Sequence, residues 1–277
     1  MARAGPIDST CLLVLDPDAR RALRLDSNAR ITGHDCDVVV NSTNGGAIVS
    51  RSNALVRAAA IRVVGGVDGP TRHFDPQSLT GAAPLDDPLA HRSAPPVLDW
   101  TYTNRRVKDI TTVLQPGIYC GGLDIDGDAR VTLQAGVYVM QGGPFRLASN
   151  TRVTGEGVGF YFTGSNAVIN FDSNVAVDLP ALEDGPFDPL FEDRSAPLLR
   201  SRDLNSNSVG RLEGAICLSR GRLSLDSNST IAAASAFTDV IVRQLDLNAN
   251  ADLVLNANHA TSAVPRALRP AWPVLVN

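Results

Sequence analysis

The chain has 277 residues, of which 44% are hydrophobic, 5% aromatic and 19% charged, with a formal net charge of -4. This apolar content excludes wholesale disorder, and the slightly acidic balance excludes a nucleic-acid coat or a polybasic membrane binder. No apolar run approaches the ~20 residues that span a bilayer, so we expect no membrane span in this sequence. An export signal or anchor is expected upstream of it.

The first part of the chain, residues 1–66, is predicted to form a cap and the first β-strands of a repeat. Val38–Val40 and Ile61–Val64 are short, rich in β-branched residues and bounded by Gly, Asn and Asp. Such runs are typical of strands rather than helices. A turn phrase, Leu-Asp-Ser-Asn, ends at Asn28, and a looser copy ends at Asn53.

Residues 67–110 are rich in proline and aspartate, and no alternation of apolar and polar residues persists there. We expect a lateral loop along one continuous domain, because residues 11–66 alone hold only two or three repeats, about the minimum for independent stability. A main repeat region follows over residues 111–259. Residues 260–277, with Trp272 among prolines, are predicted to be a tail or cap.

The repeat predicts the fold. The Asn phrase and a second phrase, Gly-Ile-Tyr or Gly-Val-Tyr at Gly117 and Gly136, recur in a fixed order every 19 to 25 residues. A unit of this length accommodates three short strands with tight bends, and stacked units pair each strand in parallel with its copy. We therefore expect an all-β, right-handed parallel β-helix, a pectin-lyase-like β-solenoid of about eight coils with Asn-rich bends.

Asparagine at the bends has a physical reason. Its backbone tolerates the left-handed conformation, and its amide can hydrogen-bond to the Asn of the next repeat, as in cross-β stacks. The residues predicted to form this structural ladder are Asn28, Asn53, Asn150, Asn174, Asn207, Asn228 and Asn250.

An ordered set of motifs resembles TadG-like proteins of bacterial Tad/Flp pilus assembly systems. The motifs are Cys11 to Pro17, Cys36 to Ser42, Val63 to Gly66, Thr80 to Leu89, Pro116 to Gly122, Leu133 to Tyr138 and Asp193 to Ala196. The resemblance implies an exported protein, periplasmic or at the cell surface, whose partners are other envelope or pilus components. It supplies no catalytic residues.

Three classes of function remain open. The first is a non-enzymatic structural protein of the envelope, and the second is a glycan-binding or self-associating adhesin. The third is a polysaccharide lyase or hydrolase, for which we can nominate only Asp124 and Asp126 with Arg146 or Arg152. Fold alone does not imply the third function, and we expect no catalytic residues and no cofactor. We also expect no nucleic-acid partner, because the net charge is slightly negative.

Metal binding is the remaining chemistry to weigh. Asp124, Asp126 and Asp128 alternate along one predicted strand, but the later ligands of a calcium loop are missing. The run from His34 to Asp37 has no second half at ligand spacing. We therefore expect no metal site.

The four cysteines are predicted to form one disulfide and two thiols. Cys11 and Cys36 are 25 residues apart, about one coil, so a bridge between them would close the first coil and mark an oxidising compartment. Cys120 and Cys217 both end a Gly-x-x-Cys phrase, which places them in one column, several coils apart and buried.

Overall fold

Parallel β-strands make up nearly all of the regular structure. The computed structural model describes residues 10–95, 101–172, 174–180, 190–193, 198–205, 208–228 and 230–258. The strands up to residue 126 are β1 (Thr10–Val14), β2 (Leu23–Leu25), β3 (Arg30–His34), β4 (Asp37–Val40), β5 (Ile48–Ser50), β6 (Leu55–Arg57), β7 (Ile61–Val63), β8 (Val67–Asp68), β9 (Phe74–Asp75), β10 (Thr101–Lys108), β11 (Thr111–Leu114) and β12 (Gly117–Asp126).

The later strands continue the same pattern of short, β-branched or aromatic segments. They are β13 (Arg130–Leu133), β14 (Gly136–Gln141), β15 (Phe145–Leu147), β16 (Arg152–Thr154), β17 (Val158–Thr163), β18 (Ile169–Phe171), β19 (Ala176–Leu179), β20 (Leu190–Glu192), β21 (Ser201–Leu204), β22 (Ser208–Leu212), β23 (Gly214–Ser227), β24 (Thr230–Ile231), β25 (Thr238–Ala249) and β26 (Asp252–Asn256). A 3₁₀ helix covers Thr71–His73.

The strands form one 16-stranded sheet and two five-stranded sheets, with orders β11-β13-β16-β19-β22 and β24-β26-β3-β6-β9. Eight strands of the large sheet close into a ring, β12-β14-β17-β20-β23-β21-β18-β15. All eight pairings in the ring are parallel. In its hydrogen-bond connectivity the ring is a closed eight-stranded parallel barrel, to which the other strands are added.

Two long strands close this ring. The first half of β12 pairs with β14 and its second half with β15. Likewise β23 pairs with β20 through Ile216 and with β21 through Arg222. The prediction of a right-handed, pectin-lyase-like β-helix of about eight coils is therefore wrong, although the structure is all-β. The repeat spacing restricts which strands can be neighbours, but it does not specify how a series of neighbours closes.

The order of the strands in space also differs from the order in the chain. Strand β1 pairs in parallel with β25 on one side and with β4 on the other. In the same way β2 pairs with β25, and β3 pairs with β26. The N-terminal strands thus lie against the last described strands, where a stack in chain order would have left two open ends.

The core runs through the whole assembly. One cluster of buried side chains extends from Leu12 and Val56 to Leu253 and Leu255. At the end nearest β10 it contains a series of stacked rings, with centroids 4.7 Å apart for Tyr102 and Tyr119 and 5.7 Å apart for Tyr119 and Tyr138. These stacked aromatics fill one end of the assembly, while mainly aliphatic side chains, joined by Phe74 on β9, fill the other.

A second apolar cluster lies on the outer side of the large sheet. Its residues follow one another in register across the strands and are Ile118, Val139, Tyr161, Phe191, Cys217, Ile241, Leu13 and Val39. Leu85 and Leu89 pack on this cluster from the proline-rich segment. The Asn41 side-chain amide donates to the Leu85 carbonyl and accepts from its N–H, at 2.7 and 3.0 Å.

The predicted lateral loop therefore contains both covering and paired segments. Strands β8, β9 and β10 lie within residues 67–110, and the segment around Leu85 covers the sheet between them. Residues 260–277, predicted as a tail or cap, lie outside the described residues. In the described parts of the chain, no helix has the length and apolar character needed to cross a membrane.

Candidate functional site

The disulfide predicted between Cys11 and Cys36 is present. Their Cα atoms are 5.6 Å apart and both residues are fully buried. Gly33 lies directly against the bridge: a side chain there would come within 3.1 Å of the Cys36 sulfur. The bridge does not close the first coil of a stack, because strand β25 pairs with β1 on the side where such a stack would begin.

The turn asparagines form a hydrogen-bonded ladder on the surface. The Asn53 amide donates to Asn28 Oδ1 at 3.1 Å, and the Asn28 amide donates to Asn250 Oδ1 at 2.8 Å. The Asn250 amide in turn donates to Asn228 Oδ1 at 2.8 Å. Four exposed side chains thus connect four successive turns.

A second run of the ladder lies at the other end of the assembly. The Asn150 amide donates to Asp128 Oδ1 at 3.1 Å, and the Asp128 N–H donates to Asp109 Oδ1 at 3.0 Å. Asp128 therefore takes the place of an asparagine in the ladder. Asn174 is exposed at an equivalent turn, and Asn207 lies outside the described residues.

The left-handed backbone conformation falls on the residue before Asn28, Asn53, Asn150 and Asn250. Ser27, Ser52, Ser149 and Ala249 have φ values of 61°, 56°, 59° and 56°. Gly127, at the equivalent position before Asp128, has φ 71°. The argument that Asn is used because its own backbone is left-handed is therefore wrong. Its contribution is the side-chain amide, which both donates and accepts.

The two remaining cysteines do not share a row. Cys120 pairs in register with Gln141, and its thiol donates to Gln141 Oε1 at 3.1 Å. Cys217 pairs in register with Ile241 and Phe191 and is fully buried on the outer side of the sheet. The predicted common column is wrong because the two phrases are two residues out of register: the row of Cys217 runs through Phe191, Tyr161 and Val139 to Ile118, and Cys120 lies two residues beyond Ile118 on the same face.

The carboxylates nominated for catalysis are engaged in contacts with neighbouring strands. Asp124 lies between two arginines: Arg106 Nη2 is 3.0 Å from Oδ2 and Arg146 Nη1 is 2.9 Å from Oδ1. Asp126 accepts from the Ser149 hydroxyl and the Gly127 N–H, both at 2.7 Å. These hydrogen bonds hold the pKa of Asp126 below its ordinary value.

The structure brings Asp124 and Arg146 together but leaves Arg152 apart from them. Arg146 contacts Asp124, but Arg152 lies on strand β16 of a five-stranded sheet. Within the described ranges, no group of three or more His, Cys, Asp or Glu side chains is arranged to hold a metal ion.

Sequence reasoning missed a buried ion pair. Arg202 and Glu192 are essentially inaccessible to solvent, and the guanidinium donates to the carboxylate. Their neighbours in register are Leu223 for Arg202 and Phe162 for Glu192. Burial raises the pKa of Glu192 and lowers that of Arg202, while each charge opposes the shift of the other. One signal was available: Arg202 lies two residues before the buried Leu204, so both face the same side of the strand.

An arginine-lined cleft of about 240 Å³ opens on the five-stranded sheet that contains β13, β16, β19 and β22. Arg211 binds Asp178 through two hydrogen bonds of 2.6 and 2.9 Å. This pairing holds the pKa of Asp178 below its ordinary value and raises that of Arg211. The small residues Ala176, Gly210 and Ala234 line the cleft between this pair and Arg152.

The row beside the cleft carries two arginines in succession. Arg130 on β13 is the register partner of Arg152 on β16, and both side chains are exposed. Neither forms an ion pair with any residue of the described ranges. Comparison of the chain with protein-family models, with curated proteins and with solved structures gives no match.

Proposed function

We propose that the protein is a non-enzymatic structural component of the bacterial cell envelope that acts in pilus assembly. The observation that carries this proposal is the surface ladder from Asn53 through Asn28 and Asn250 to Asn228. Its polar side chains are used to join strands to one another, which suits a rigid scaffold. The resemblance to TadG-like proteins supplies the association with pilus assembly and the expected envelope partners.

Export to the periplasm or cell surface is part of the proposal. The buried Cys11–Cys36 bridge supports it, because disulfides persist mainly in oxidising compartments. Removing the bridge from the core would leave two thiols in an apolar environment and restore chain entropy to the unfolded state.

The contacts of Asp124 count against the lyase alternative. A catalytic carboxylate has to reach the substrate proton, whereas Asp124 is held on both sides by Arg106 and Arg146. Asp126 is likewise occupied by hydrogen bonds from Ser149 and Gly127. Both carboxylates therefore have a structural explanation.

Gene deletion and complementation test the proposal. In a strain that assembles these pili, deletion should reduce the number of surface pili counted by electron microscopy. The wild-type chain and Asp126→Ala should both restore them, and cross-linking in those cells should capture other envelope or pilus components. Normal piliation after deletion would overturn the proposal. So would turnover of a uronic-acid polymer by the purified chain that Asp126→Ala abolishes.

A further inference from the structure

We propose that the arginine-lined cleft binds a carboxylated sugar unit of an acidic polysaccharide, with Arg130 and Arg152 holding its carboxylate. The site lies on the sheet formed by β11, β13, β16, β19 and β22. Binding there makes and breaks no covalent bond. The proposal is independent of any role in pilus assembly.

The first argument is the succession of two like charges. The backbones of register partners on parallel strands are about 4.8 Å apart. Like-charged side chains at such directly opposed positions destabilise the pair. Arg130 and Arg152 occupy such positions, and the described chain places no carboxylate within ion-pair distance of either. An anion from outside the chain would remove this repulsion.

Elsewhere in the molecule, two converging arginines have a carboxylate between them, and Arg130 and Arg152 have none among the described residues. Arg106 and Arg146 approach from opposite sides of Asp124, at 3.0 and 2.9 Å. Each of these arginines is a register partner of the aspartate between them. For Arg130 and Arg152 to share a carboxylate in the same way, the ligand has to supply that carboxylate.

A further shared carboxylate gives the same picture on another surface. Arg20 and Arg51 both contact Asp68 Oδ2, each at 2.7 Å. Two guanidiniums that share one carboxylate therefore recur in this protein. A guanidinium fork matches carboxylate geometry, which favours a carboxylate over a neutral ligand at the remaining pair.

The shape of the cleft argues for a ring beside the carboxylate. Gly210 has no atom within 4 Å of the position a side chain would take, and Ala176 and Ala234 are similarly small. The opening of about 240 Å³ lies between Arg152 and the Arg211–Asp178 pair. Asp178 is a carboxylate facing the site, but Arg211 neutralises it and leaves its oxygens as acceptors for sugar hydroxyls.

The test is isothermal titration of the full chain with a short oligogalacturonate. The expected result is saturable binding that Arg152→Gln and Arg130→Gln each weaken about tenfold, the loss of one charged hydrogen bond. Gly210→Trp should abolish binding by filling the cleft without changing charge. The matched control, Arg105→Gln, removes an exposed charge from β10 and should leave the affinity unchanged.

Two further ligands show whether binding depends on the sugar ring, on the carboxylate or on both. Neutral dextran oligomers should not bind, and polyglutamate, which carries carboxylates without sugar rings, should bind at least tenfold more weakly. The proposal is overturned by absent oligogalacturonate binding, by equal binding of polyglutamate, or by an equal loss in Arg105→Gln. If Gly210→Trp fails to fold, the exposed Arg130 and Arg152 substitutions still decide the question.

Discussion

The Asn28 side-chain amide donates a hydrogen bond of 2.8 Å to Asn250, which lies 222 residues later in the chain. The same ladder joins Asn28 to Asn53, only 25 residues away. Asn28 thus connects the N-terminal strands to the last described strands, through side chains that are exposed to solvent.

Replacing Asn28 should cost more than replacing an asparagine outside the hydrogen-bonded runs. Asn28→Ala removes two ladder hydrogen bonds, and we expect about 1 kcal/mol lower free energy of unfolding at this exposed site. Asn174→Ala is the matched control, with an expected change within about 0.5 kcal/mol. Urea denaturation measures both, and equal losses would show that the ladder does not contribute to stability.

The pair of Asp178 and Arg211 predicts a dependence of stability on pH. Arg211 lowers the pKa of Asp178 below its ordinary value of 3.8 in the folded protein. A lowered carboxyl pKa adds stability that is present above 3.8 and is lost as the pH falls through the lowered value. Asp178→Asn should therefore be less stable than wild type at pH 7, and the difference should shrink in strong acid. In an Arg211→Gln background this pH-dependent difference should disappear.

The cysteines should separate into three reactivity classes. In the native protein a maleimide should label the partly exposed Cys120, while Cys217 reacts only after unfolding. Cys11 and Cys36 should stay unlabelled until they are reduced. Replacing both by serine should lower the free energy of unfolding by roughly 3 kcal/mol. Cys120→Ser is the control, and labelling of Cys11 in the unreduced, denatured protein would contradict the bridge.

The buried ion pair predicts that the stability losses of its two single variants are not additive. Arg202→Met leaves Glu192 buried without its partner, and Glu192→Leu does the reverse, so each should cost about 3 to 5 kcal/mol. The double substitution places two apolar side chains beside Leu223 and Phe162 and should be neutral or stabilising. Thermal denaturation measures all three, and additive losses in the double variant would contradict the prediction.

The sequence is informative where a residue acts through its own chemistry. The Ser-Asn phrase identifies turns in the sequence. Asn28 and Asn53 hydrogen-bond to each other through identical side chains, so the recurrence of the phrase is enough to predict the ladder. The spacing of Cys11 and Cys36 predicts their bridge because adjacent strands bring them within reach. The repeat cannot say which copy is the neighbour, since each phrase fits any other equally well. For that reason neither the pairing of Asn28 with Asn250 nor the closure of the ring could be predicted.

Register and burial were predicted less well for a related reason. Aligning the two Gly-x-x-Cys phrases by their cysteines is wrong by two residues, because the row of Cys217 reaches Ile118 and not Cys120. The charges of Arg202 and Glu192 suggest exposure to solvent. Their burial is possible because their mutual ion pair offsets the cost of removing both charges from water. The repeat predicts that β16, β19 and β22 follow one another, but it does not show that the small side chains at Ala176 and Gly210 leave an opening beside Arg152.

The position of the N-terminal strands against the C-terminal strands gives the most direct test of the fold. Thr32 on β3 and Val254 on β26 are register partners in a parallel pair. Adjacent strands lie about 4.8 Å apart, which is within the Cα separation of roughly 4.4 to 6.8 Å that a disulfide tolerates. In a stack that followed the chain order, these residues would lie near opposite ends. Thr32→Cys with Val254→Cys, in a Cys120→Ser background, should therefore cross-link within one chain under mild oxidation.

Non-reducing electrophoresis and peptide mass spectrometry identify the new bridge. The matched control combines Thr32→Cys with Thr154→Cys, whose strand β16 belongs to the other five-stranded sheet, and it should stay reduced. A bridge in the control, or none between positions 32 and 254, would contradict this strand order. Covalent dimers in place of monomers would show that the N-terminal strands pair with the C-terminal strands of a second copy.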